Sequence, residues 1–198
     1  MDYVETKALA DRLGLRFEPA QNYVLPDDYR FLHHLAQGEN CYAFNVLSGR
    51  YRQGEILAFD YHYEISEKGA DNELSRTPYC QTVVMVLMPA YFPELLIAPE
   101  GLRTKTAALF GGGDIDFESA EFSRVFSVRS RDKRFAYDIC NGPVIDYLLE
   151  NRDLNLQIQN CAMALVSDTQ WPAKQVEYNL ERLGEIRARM PEYLFQKT

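Results

Sequence analysis

The sequence predicts an α+β fold: a largely antiparallel, strongly twisted sheet with helices packed on one face and at the ends. Three observations carry this. Predicted strands follow one another in adjacent pairs instead of alternating with helices, which argues against a doubly wound parallel sheet. Residues 55–65 alternate with period two, Leu57, Phe59, Tyr61, Tyr63 and Ile65 on one side and Ile56, Ala58, Asp60, His62 and Glu64 on the other. The last predicted helix, Ala173 to Met190, sets Val176, Leu180, Leu183, Ile186 and Met190 in one stripe.

Size and composition agree. The chain has 198 residues, 46% hydrophobic, 25% charged and 13% aromatic, which suits a folded globular protein and excludes disordered, collagenous and disulfide-scaffold classes. Residues 1–198 are expected to form a single α+β domain, with a sub-boundary, if any, near residues 99–114. The net charge of −8 sits mostly in the first half, where 8 Lys/Arg face 15 Asp/Glu. Such a surface repels phosphate backbones, so nucleic acid is not an expected partner. Cys41, Cys80, Cys140 and Cys161 show no CxxC spacing and read as buried apolar side chains in a reducing cytoplasm. The start, Met1-Asp2-Tyr3-Val4-Glu5, lacks the basic stretch of a secretion signal, and the longest apolar run, Val83–Met88, is too short to span a bilayer. A cytoplasmic location is therefore expected.

Along the chain, residues 2–13 have helical spacing, with Val4, Ala8 and Leu9 sharing a face and Gly14 as the stop. Leu15–Phe17 predicts a short strand. Pro26-Asp27-Asp28 suits the first turn of a second helix, expected to run to Ala36 before Gly38. Cys41–Leu47 predicts a strand, Ser48-Gly49 a turn, Glu55–Ile65 the clearest strand, and the polar stretch Ser66–Arg76 a loop. Thr77–Met88 is rich in Val and Thr and should pair with the strand before it. Pro89 and Pro93 bracket a turn, and Glu94–Ala98 forms a short strand. A helix over Glu100–Phe110 ends at Gly111-Gly112-Gly113. A strand is expected near 124–130. Asp132 caps a helix over 133–140, and a further helix starts at Pro143, partly burying Val144, Ile145, Tyr147, Leu148 and Leu149. Leu154–Ile158 and Ala162–Val166 predict a hairpin.

Several side-chain groups invite a chemical reading. Asp60, His62 and Glu64 share one strand face, next-nearest residues roughly 7 Å apart; carboxylate, imidazole and carboxylate could hold a divalent metal or share a proton. The plainer reading is a solvated sheet face. Arg124, Arg129, Arg131, Lys133 and Arg134 form the strongest basic cluster, suited to an acidic partner, an anionic headgroup or the acidic half of the same fold. His33 and His34 are adjacent, so on a helix they diverge by about 100° and cannot chelate together. The run Gly111-Gly112-Gly113-Asp114-Ile115-Asp116 lacks the Lys-Ser/Thr of a phosphate loop and the spacing of an EF-hand. No GxSxG is present. Trp171, before Pro172, reads as a packing anchor at a helix entrance.

The stretch Glu121-Phe122-Ser123-Arg124-Val125-Phe126-Ser127-Val128, followed by Asp132, Ala136 and Pro143, resembles an uncharacterised bacterial domain family of unknown function. Phe59-Asp60-Tyr61-His62-Tyr63 is similar to a strand of the same group. The resemblance implies a bacterial protein in which these residues determine fold, and it brings no catalytic residue with it. Some members are membrane-anchored; no spanning segment is read here.

Three functional readings stay open. The first is a non-enzymatic binding or assembly module, with a protein partner or a second copy of the chain, no cofactor and no catalytic residue. The second is a metal-assisted hydrolase-like enzyme using Asp60, His62 and Glu64. The third is a peripheral module that binds anionic lipid through the Arg124–Arg134 cluster.

Overall fold

The computed structural model describes residues 1–52, 54–68, 73–100 and 114–196. It shows the expected α+β class, with an antiparallel open sheet of six strands and helices at the ends. The helices are α1 (Tyr3–Leu13), α2 (Leu25–Asp28), α3 (Ala120–Val125), α4 (Lys133–Ile139), α5 (Gly142–Glu150) and α6 (Ala173–Arg189). The strands are β1 (Arg16–Glu18), β2 (Glu39–Tyr51), β3 (Gly54–Lys68), β4 (Leu74–Pro99), β5 (Phe126–Ser130) and β6 (Leu156–Val166). Hydrogen bonding links them in the order β1-β2-β3-β4-β5, and β6 also pairs with β4.

The chain divides into two compact units, Met1–Val86 with Val166–Glu181, and Leu87–Leu165 with Arg182–Thr198. Strand β4 and helix α6 contribute residues to both. The boundary expected near 99–114 falls mostly outside the described residues, as do the helix expected over Glu100–Phe110 and the Gly111–Gly113 turn.

In the first unit, Asp2 accepts hydrogen bonds from the amides of Val4 and Glu5 and so starts α1; Gly14 ends it at φ +68. The buried side is Thr6, Leu9 and Ala10, whereas Val4 is 72% exposed, so the apolar face is turned from the one expected. The second helix does not reach Ala36. It stops at Asp28, and a single 3-10 turn follows at His33–Leu35. Leu32, fully buried, is extended there with ψ 120; burial of Leu32 and Leu35 overrides helical propensity.

Ser48 and Gly49 do not turn. They pair with Leu57 and Ile56, and the chain reverses only after Tyr51, whose partner is Gly54. Arg52, next to that reversal, has φ +51, a left-handed value common in tight hairpin connections. The loop expected over 66–76 is shorter, because β3 extends to Lys68 and β4 begins at Leu74. Ile56 through Tyr61 are all buried, so both faces of β3 are covered in this stretch. The face expected to be wet is dry at Asp60.

In the second unit, Pro89 and Pro93 bracket no turn; β4 runs through both for 26 residues. A proline removes one N–H donor, and a strand tolerates this where the donor would point away from its neighbour. Leu95–Pro99 then pair antiparallel with Ser130–Phe126 of β5. The strand expected from 124 starts at Phe126, preceded by α3, whose cap is Ser119. Asp132 caps α4 as the sequence predicts, accepting from Phe135, while α5 starts at Gly142, one residue before the expected Pro143, with Asn141 as its cap accepting from Val144. The hairpin expected over 154–166 is instead the continuous strand β6, in which Asn160 takes φ +50 without reversing the chain. All five stripe residues of the last helix are buried.

Candidate functional site

The residue to build from is Asp60, in the middle of β3 and fully buried. A carboxylate without water must find donors within the protein, and four come from four separate stretches of chain. The Thr82 hydroxyl on β4 donates to Oδ1 at 2.7 Å. Asn45 Nδ2 donates to Oδ2 at 3.1 Å, and Gln170 Nε2 to Oδ2 at 2.9 Å. The α-ammonium of Met1 completes the set with a short, fully buried ion pair to Oδ2.

Local structure explains why these donors arrive. The β2–β3 register slips between Phe44 and Leu47, and Asn45 lies in that bulge with φ +52. A bulge re-aims one side chain, and asparagine tolerates the left-handed conformation that it needs. Besides Asp60, the Asn45 amide nitrogen reaches the Met1 carbonyl at 3.0 Å. Thr82 is held from behind: its hydroxyl accepts the Trp171 amide at 2.8 Å, its own amide donates to Ser167 Oγ at 2.8 Å, and its carbonyl accepts from the Ser167 amide at 3.0 Å. Trp171 thus anchors the entrance to α6 partly through its backbone.

The neighbours of Asp60 on that face do not converge with it. His62 stacks on Tyr42 at 4.6 Å, and its Nε2 lies 3.7 Å from Glu64 Oε1. Glu64 also accepts from Asn40 Nδ2 at 2.8 Å. Tyr42 packs in turn against Tyr23 at 5.4 Å and Phe44 at 5.9 Å, making an aromatic row whose outer member Tyr23 is 60% exposed, next to Val24 at 68%. Among the described residues, no group of three or more His, Cys, Asp or Glu side chains is placed to hold a metal ion.

The opposite face of β3 is aromatic and dry. Tyr61, Tyr63 and Tyr79 stack in sequence at 5.4 and 5.2 Å. The Tyr61 hydroxyl meets the Gln37 carbonyl at 3.1 Å and Cys41 Sγ at 3.0 Å. Burial raises the Tyr61 and Tyr63 hydroxyls above the ordinary phenol value. Burial, reinforced by the Asp60 charge, pushes the Cys80 thiol up to about 11, so it is a poor nucleophile at neutral pH. His34, half-buried in its 3-10 turn, is held below the usual imidazole value by desolvation, which the charge of Asp168 partly opposes.

The basic cluster is divided in its surroundings. Arg129 is bound through Nε to Asp114 Oδ1 at 3.0 Å, an oxygen that also accepts from Ser127 Oγ at 2.6 Å. Arg124 is in the last turn of α3, where a cation suits the helix dipole. Arg131, Lys133 and Arg134 are exposed, before and within the first turn of α4.

Sequence reasoning missed Met1, Asn45, Thr82 and Gln170 as partners of Asp60. Only Asn45 carried a local signal, as an asparagine inside an apolar strand. Asn22 shows that the same region is bound on its outer side too, exchanging backbone hydrogen bonds with Ala43.

No family model matches the chain, so none supports the resemblance to an uncharacterised bacterial family, and no curated protein matches it. The fold is similar to that of the mycobacterial trehalose monomycolate transport factor A, with a TM-score of 0.66 at 12% sequence identity over 93% of this chain and 92% of that one. Among the described residues, no helix is long and apolar enough to cross a membrane.

Proposed function

We propose that this protein is a non-catalytic binding or assembly module, and that the aromatic row ending in Tyr23, with the adjacent Val24, is a contact surface for a protein partner or a second copy. The observation that carries this is an exposed apolar edge set in polar surroundings: Tyr23 and Val24 point outward beside Asp27, Asp28 and Arg30, backed by Tyr42 and His62. Contiguous apolar surface rimmed by polar residues is characteristic of interaction sites. Asp60, the ionisable group most deeply placed on β3, serves the fold, since its oxygens are occupied by four internal donors. A role in partner binding also agrees with a fold that elsewhere serves a transport factor.

Sedimentation velocity over a concentration series tests the reading. The chain should show concentration-dependent association, and Tyr23→Ser with Val24→Ser should weaken it. A chain that stays monomeric throughout, with unchanged hydrogen exchange at 21–25 in the presence of its cell extract, refutes it. Turnover of a hydrolysable substrate that is lost in His62→Gln would favour the enzyme reading instead. Flotation with anionic vesicles that is lost when Arg131, Lys133 and Arg134 become Gln would favour the lipid reading.

A further inference from the structure

After α6 ends, Pro191 at ψ 133 breaks the helix, and Glu192–Phe195 form one 3-10 turn. Among the described residues, the backbone hydrogen bonds of this segment stay local: Leu194 to Pro191 and Gln196 to Tyr193. Its attachment to the rest of the unit is through side chains. The Tyr193 hydroxyl donates to Asp138 on α4 at 2.7 Å. The Phe195 ring meets Phe92 of β4 edge-on at 5.6 Å, and Phe92 stacks on Phe135 of α4 at 5.6 Å. The Arg187 guanidinium lies over the Phe195 ring, 3.2 Å from its centre.

Two features bear on what this seat can take. The covering segment is shallow: none of its four turn residues is buried, and Tyr193 is 54% exposed. The residues beneath it are deep, with Phe92 and Phe135 at 6% and 5% exposure. A strap at the surface, held to an aromatic floor by side chains alone, can be exchanged for another segment that offers the same side chains. The second feature is charge. Arg134 stands one helical turn before Asp138, the acceptor of the Tyr193 hydroxyl, and the turn carries the acidic Glu192. Exposed Lys133 and Arg134 immediately precede the floor residue Phe135 on α4, so two of the five basic residues singled out in the sequence are its chain neighbours.

We propose that residues 191–196 act as an internal stand-in ligand, and that the seat formed by Phe92, Phe135 and Arg187 takes a partner's peptide segment of the same chemistry, an acidic residue followed by aromatic residues one and three positions later. The strap itself, Glu192-Tyr193-Leu194-Phe195, displays that pattern. A partner segment competes by supplying its own ring between Phe92 and Arg187 and its own carboxylate to the basic rim. This deepens the binding-module reading and rests on it, at a surface separate from Tyr23 and Val24.

The test uses the full chain and a fluorescein-labelled peptide with the sequence of Pro191–Gln196, read by fluorescence anisotropy. Phe195→Ala empties the seat and should bind the peptide about tenfold more tightly than the parent chain, the change expected for one aromatic contact with its cation. Tyr193→Phe, which removes only the bond to Asp138, should give a smaller gain in the same direction. Adding Arg187→Gln to Phe195→Ala should abolish the gain, as should alanine at the last aromatic position of the peptide. Equal peptide binding by parent, Phe195→Ala and Tyr193→Phe chains, all with a native circular dichroism spectrum, overturns the proposal. So does a Phe195→Ala chain that floats with anionic vesicles yet ignores the peptide. Either result leaves the sedimentation test of Tyr23 and Val24 unaffected, so the two readings fail separately.

Discussion

Replacing Asp60 by asparagine changes one atom's chemistry inside a closed polar network. The carboxylate now accepts from Thr82, Asn45, Gln170 and the Met1 ammonium. An asparagine keeps one acceptor oxygen and sets an NH2 group against donors that expect an acceptor. The ammonium, fully buried with its partner, loses its counter-charge. Breaking a buried ion pair from one side costs about 3–5 kcal/mol, a large share of the roughly 5–15 kcal/mol that holds a domain folded. Thr82→Val keeps the shape and leaves the Trp171 amide and Asp60 Oδ1 each short of a partner, for about 1–3 kcal/mol. Urea unfolding followed by the fluorescence of Trp171, the only tryptophan, measures both. The midpoint should fall while the slope stays constant. Because the two residues share one network, the double variant should lose less than the sum of the singles. An Asp60→Asn shift below about 1 kcal/mol, or strict additivity with Thr82→Val, would show that the network does not exist as described.

Two further outcomes follow from the same structure. Gly38 has φ +79, and a Cβ there would lie 2.7 Å from the Glu64 carbonyl oxygen; Gly38→Ala should cost about 1–3 kcal/mol, whereas Gly184→Ala, inside α6 with open space around it, should stabilise by about 0.5–1 kcal/mol. Thermal midpoints that move in the same direction for both variants would contradict these placements. His34 is held below its ordinary value by burial, so the unfolded chain takes up the proton first as pH falls; stability should drop as pH falls from about 6.5 toward the lowered folded value, and His34→Gln should flatten that slope, which urea titrations at a series of pH values would show.

How much was legible varies with how local the cause is. The caps Asp2, Asp132 and Asn141 act on amides two or three residues away, and each is readable without a fold. The stripe Val176, Leu180, Leu183, Ile186 and Met190 is likewise a property of one helix, and all five are buried. On the same helix Arg182, a charged residue outside that stripe, is only 4% exposed and donates to Asp153; its burial depends on α6 meeting the segment at Asp153, which periodicity does not describe. Prolines 89 and 93, and the stretch between Ile158 and Ala162 that separates the two strands of the expected hairpin, looked like breaks because turn chemistry is the commonest use of such residues. In the structure β4 and β6 run on through these positions.

Residues 55–65 illustrate the division most clearly. Alternation alone established an extended segment with aromatic Phe59, Tyr61 and Tyr63 on one face, because side chains in any strand point to opposite sides. Which face meets water is not a property of the strand. It depends on what other chain segments lie against each side, and here the start of the chain, a bulge in β2, a threonine on β4 and the residues before α6 close over Asp60. The sequence alone determined the residue types and their period. Tertiary structure alone decided that a carboxylate fit for chemistry in water became an internal tie, since desolvation leaves a charge no choice but to bind the donors within reach.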